Sequence, residues 1–201
     1  MLYKDSAGYN YFQIAEGILI LTQKIEESDV RMPIPFSGCP IEYLLQYAGK
    51  KLGNNYEDQM NNSVYISSAT GYFDVMKFES VAREAEKKGS VLRSIDFRTK
   101  TGSLGKMIKK EAEDSCIDIE VDYTVLYDPN LNAKTRVFDF DFPDHFVKKY
   151  LNYVDRKTYD NMLLYNTKGR FHYPHDINKH FSESEVVVKI KENIDILCRD
   201  L

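Results

Sequence analysis

The chain has 201 residues, with 27 Lys and Arg against 31 Asp and Glu and a net charge of −4, so it lacks the global basic excess of a dedicated nucleic-acid binder. Its three cysteines, Cys39, Cys116 and Cys198, stand far apart without a CxxC pair, which supports neither a zinc ribbon nor a disulfide framework and leads us to expect reduced thiols in a cytoplasmic setting. No basic segment followed by an apolar one opens the chain, and runs such as Ile18–Leu21 fall far short of the roughly 20 apolar residues of a membrane span.

In chain order, Tyr11, Ile14, Ala15, Ile18, Leu21 and Ile25 recur at helical spacing and predict a helix over residues 9–27. The prolines and glycine of residues 31–39 predict a loop. Pro40 then suits the first turn of a helix whose apolar face is Ile41, Leu44, Leu45, Ala48 and Leu52, with Gly53 as its stop. After a polar loop over 54–62, a strand is expected at 63–68. A helix follows over 72–88, with Phe73, Met76, Val81 and Ala85 on one side and Gly89 at its end.

Residues 90–97 alternate as a strand, 98–103 turn, and Leu104–Glu113 form a short polar helix. The alternation of Ile117, Ile119, Val121, Tyr123, Val125 and Tyr127 predicts a long strand over 117–127. The short DPNLN connection pairs it antiparallel with 136–142. Helical spacing returns at 144–166. Ser182 and Glu185 form a capping-box pattern before a last helix that presents Val187, Ile190, Ile194 and Leu197. This order predicts one α+β domain over 1–201, with a mixed, largely antiparallel sheet flanked by N- and C-terminal helices. Its parts are a helical segment 1–62, a sheet core 63–142 and a helical segment 143–201.

Several constellations could carry chemistry. Arg98, Lys100, Gly102, Ser103, Gly105 and Lys106 make a basic, glycine-containing turn between a strand and a helix. First-turn N–H groups and nearby cations there favour phosphate. The spacing is not that of a Walker loop, because Met107 stands where Ser or Thr is required. Cys39 precedes a helix, a position that lowers a thiol pKa, with His172, His175 and His180 as candidate bases. His175, Asp176 and His180 are a candidate metal set. In chain order come Arg31, then Ser67 and Ser68, then Glu111 and Glu113, with Glu120 and Asp122 as a competing acidic pair.

This last set resembles the mono-ADP-ribosyltransferase toxin fold over residues 31–127, above all in the strand–helix–strand stretch from Asn62 to Phe97. The resemblance implies that Arg31 and the Ser67–Ser68 strand hold NAD. It implies that Glu113 is the catalytic carboxylate, that Glu111 serves the acceptor, and that the acceptor is a macromolecule. An Arg pairs bidentately with phosphate, and a carboxylate beside the ribose stabilises the charge that develops as nicotinamide leaves. The sequence departs from that pattern, with Ser-Ser-Ala-Thr where the family has Ser-Thr-Ser. Arg98, Lys100, Ser103 and Lys106 also resemble the ATP-phosphate motif of alarmone synthetases. Arg98, Lys100 and Lys106 are therefore the expected phosphate ligands of a nucleotide. A different class, a non-catalytic protein–protein interaction factor, is suggested by the acidic charge and the 15 tyrosines.

Overall fold

The computed structural model describes residues 11–35, 37–67, 72–99, 101–140 and 185–199. The elements are α1 (Tyr11–Lys24), β1 (Val30–Pro33), α2 (Cys39–Leu52), a one-turn helix (Met60–Asn62), β2 (Ile66–Ser67), β3 (Tyr72–Phe73), α3 (Val75–Lys88), β4 (Leu92–Arg98), α4 (Ser103–Asp114), β5 (Val121–Tyr127), β6 (Thr135–Phe138) and, as α5, Glu185–Arg199. The apolar stripe of α1 buries Ile14, Ala15, Ile18 and Leu21, as its spacing requires. Gly53, at φ +81°, ends α2, and Gly89, at φ +61°, ends α3, both in the left-handed region that glycine enters without strain. The helix predicted from residue 72 starts later, because Asp74 accepts the Lys77 N–H as its cap and Tyr72–Phe73 pair antiparallel with Ile66–Ser67. Helical residues predicted at 144–166, and Ser182 of the capping box, lie outside the described residues.

Among the described residues the main sheet has four strands in the order β1-β4-β5-β6, and every neighbouring pair is parallel. This corrects the expected largely antiparallel sheet: the architecture is α/β, and β5 and β6 do not form a hairpin. Two physical facts explain the difference. First, all of Val121–Tyr127 is buried, and a strand covered on both faces belongs to a parallel sheet rather than to one with a wet side. Second, β6 begins opposite Thr124, so the chain retraces only part of β5 before it pairs again. The Asp128 carboxylate folds that return, accepting the Asn130 N–H at 3.2 Å and the Ala133 N–H at 2.5 Å. Val30–Pro33, which overlaps the start of the predicted loop over 31–39, is the first strand. The sequence there misled because proline is tolerated at the end of an edge strand, and Pro33 closes β1.

Helices cover both faces. α1, α2 and α5 pack with Ile95, Phe97 and Leu126 on one face. α3 and α4 pack with Val30, Met32, Leu92 and Val121 on the other. The outer edge of β1 is closed by a side chain: the Gln59 amide accepts the Arg31 N–H at 2.5 Å and donates to the Asp29 carbonyl at 3.2 Å. It takes the place of a further strand and removes an exposed edge.

Candidate functional site

Because the strands run the same way, their carboxyl ends share one edge of the sheet. β1 leads into α2 on one face, and its neighbour β4 leads into α4 on the other. Two helix N-termini, at Cys39 and Ser103, therefore open at that edge. Gly38 lets the first of these turns lie against β4, since a Cβ there would meet the Ile95 carbonyl oxygen at 2.0 Å. The second turn is shaped by Thr99, whose hydroxyl accepts the Gly102 N–H at 3.0 Å, and by Gly102 itself at φ +66°. Thr101 and Ser103 add hydroxyls 3.0 Å apart.

Beneath these turns lies a buried polar group that the sequence reading did not single out. Asp96 on β4 accepts the Phe97 N–H at 2.7 Å and the Tyr123 hydroxyl at 2.8 Å, and it also takes a hydrogen bond from Ser37. Burial pushes the Asp96 carboxyl above its ordinary range, against those three hydrogen bonds and the Arg98 charge, which favour ionisation. Burial and the Asp96 charge push the Tyr123 phenol far up, so it stays a donor. The signal in the sequence was an Asp inside an apolar strand, which must find a partner when buried.

A raised carboxyl pKa gives stability that is present in full below the ordinary carboxylate value and is lost as pH rises through the folded value. The stability advantage of the wild type over Asp96→Asn is therefore expected to shrink as pH rises from about 4, by at most about 1.4 kcal/mol per pH unit in that window. Urea denaturation of both proteins in steps to neutrality checks this. An advantage that grows with pH would mean that Asp96 is held ionised.

The predicted site residues do not all meet. Arg31 is 0% exposed and points to the α2 face, its Nε 2.9 and 3.1 Å from the two oxygens of Glu42, also 0% exposed. Its Nη2 donates to the Glu57 carbonyl at 2.7 Å and its guanidinium lies over the Tyr56 ring. Glu111 and Glu113 stand on α4, whose Ile108 and Ala112 pack on the opposite face. Arg31 and Glu113 thus project from opposite sides of the sheet. Glu113 is exposed, and the Ser115 hydroxyl lies 3.4 Å from Glu111 and 3.0 Å from Glu79.

Ser67 pairs through its backbone with Tyr72, in a ribbon on the α3–α4 side where Ile66 joins the core. Arg98 closes β4, half-buried, and Lys106 is exposed in the first turn of α4. Lys100 and Ser68 lie outside the described residues, as do His172, His175, Asp176 and His180. Cys39 is buried, with its Sγ 3.7 Å from the Ser63 hydroxyl. Of the competing acidic pair, Glu120 is exposed and paired with Lys134, whereas Asp122 is buried against Arg93. Arg93 also pairs with Asp29, and the Asp122 carboxylate accepts the Thr135 hydroxyl. Sequence reasoning missed this network, which ties β4 and β5 to the segment before β1.

Among the described residues no group of three His, Cys, Asp or Glu is placed to hold a metal, and no helix is long and apolar enough to cross a membrane. No protein-family model matches the chain, and no curated protein or solved structure matches it.

Proposed function

We propose that the protein binds a phosphate-bearing nucleotide at the carboxyl edge of its sheet, at the start of α4. The observation that carries this reading is the departure of the β1 and β4 connections to opposite faces. Open parallel sheets receive ligands outside the carboxyl ends of their strands where such a divergence opens a crevice. First-turn N–H groups of α4 favour an anion. Thr101, Ser103, Arg98 and Lys106 supply hydroxyls and positive charge around it, and the sequence adds Lys100 as a further cation.

NAD is the nucleotide that the transferase resemblance nominates, and ADP-ribosyl transfer to a macromolecule is its specific form. In that form Glu113 acts about 15 Å along α4 from Ser103, and a cofactor role for Arg31 requires its pair with Glu42 to open. A non-catalytic interaction factor is the second reading, favoured by Val75 and by Met76, 84% exposed at the start of α3.

Thermal denaturation in the presence of NAD, ATP or pyrophosphate tests the proposal. A ligand at 100 times its Kd adds about 2.7 kcal/mol, which for a chain of this size raises Tm by about 5–10 °C. Lys100→Ala combined with Lys106→Ala is expected to remove most of that shift. If none of the three ligands moves Tm, the interaction factor is the better reading.

A further inference from the structure

The geometry points to a second ligand site, away from the carboxyl-edge turns: the groove beside β6 accepts an extended acidic peptide segment of a partner protein as an added strand. Among the described residues β6 ends the sheet order opposite β1. The edge of β1 is occupied by Gln59, as described above. At β6 the Asp128 N–H donates to the Phe138 carbonyl at 3.0 Å, so Phe138 turns its backbone toward β5. By the alternation of a strand, Val137 turns its own N–H and C=O away from β5. On that side an open groove of about 450 Å³ is lined by Lys24, Lys134, Thr135, Arg136, Val137 and Asp139.

The charges of the groove select its occupant. The Lys24 ammonium donates to the Arg136 carbonyl at 3.0 Å, and Arg136 Nη1 donates to the Ala133 carbonyl at 3.2 Å. These neutral acceptors orient both cations without cancelling their charge. Lys134 differs, being paired with Glu120. Among the described residues, two cations without an ion pair thus outweigh the carboxylate of Asp139 in this lining, in a chain whose net charge is −4. The mostly polar lining does not suit an apolar ligand, whereas an added strand supplies main-chain partners for Val137 and carboxylates for Lys24 and Arg136. Lysines on an edge strand also blunt unwanted pairing, and that role alone predicts that no peptide binds.

Fluorescence anisotropy of the full chain decides between these, using a labelled peptide of alternating Glu and Val, its Lys-for-Glu counterpart, and a short oligothymidylate. The acidic peptide is expected to bind at least about tenfold more tightly than the basic one, with affinity falling as salt rises. Lys24→Glu with Arg136→Glu is expected to reverse that preference. Hydrogen exchange of the wild type, which needs no variant to fold, is expected to show the Val137 amide protected in the complex. Equal affinity for both peptides, preference for the oligothymidylate, no saturation by the acidic peptide, or an unprotected Val137 amide in the complex would each overturn the site.

Discussion

Arg31→Ala is expected to lower folding stability by about 3–5 kcal/mol, because it leaves the Glu42 carboxylate buried and unpaired. Both side chains are 0% exposed, so water cannot replace the guanidinium. The Gln46 amide, 3.1 Å from Glu42, donates a hydrogen bond but carries no charge. Such a loss is a large part of the roughly 5–15 kcal/mol that holds a domain together. The charges themselves are not what the fold needs. Arg31→Met with Glu42→Leu, which replaces the pair by apolar side chains, is expected to recover most of the loss. Arg31 Nη1 is already buried without a hydrogen bond, so losing it strands no partner, and only the Glu57 carbonyl loses a donor, that of Nη2. Urea denaturation of the single and double variants measures both effects. A loss below about 1 kcal/mol for Arg31→Ala would mean that Glu42 reaches solvent in the variant. The double variant also separates the two roles considered for Arg31. If it folds and still binds nucleotide as the wild type does, Arg31 serves the fold; if it folds and loses nucleotide, Arg31 serves the ligand.

Gly38→Ala is expected to cost about 3 kcal/mol and to displace the turn between β1 and α2. The added Cβ would stand 2.0 Å from the Ile95 carbonyl oxygen and 2.6 Å from the Ile34 nitrogen. Both are backbone atoms, so no side chain can rotate aside. The φ of Gly38 is −86°, an ordinary value, and the cost is one of close approach rather than of a forbidden conformation. The same shift would draw Ser37 away from Asp96 and move the start of α2, so nucleotide affinity is expected to fall together with stability. Chemical denaturation and a nucleotide titration of the variant check the two effects. A variant as stable as the wild type would mean that the turn moves freely and does not fix the edge of the sheet.

Much of the helical content could be read from residue order, because a helix is written in local spacing. The apolar stripes at Ile14–Ile18–Leu21, Ile41–Leu44–Ala48 and Val187–Ile190–Ile194 lie on the buried faces of α1, α2 and α5, and Gly53 and Gly89 end α2 and α3. The basic turn before α4 was equally legible, as a strand, a glycine and a run of cations. Strand direction was not. The alternation of Val121, Tyr123 and Val125 is the same whether the neighbour runs up or down, and only the Asp128-held return from β5 to β6 makes that pair parallel. Nor was the fate of Arg31 legible. Its partners Glu42, Glu57 and Gln59 lie 11 to 28 residues away in sequence, and folding brings them around a guanidinium that, in the sequence alone, was free for phosphate. The Asp96–Tyr123 bond joins residues 27 positions apart that share a face only once β4 and β5 are in register. Residue order determined the helices and their ends, since those depend on neighbours within a turn. Tertiary structure decided the sheet's direction, the burial of Arg31 and the edge where the turns meet, since each depends on groups that only the packed chain brings together.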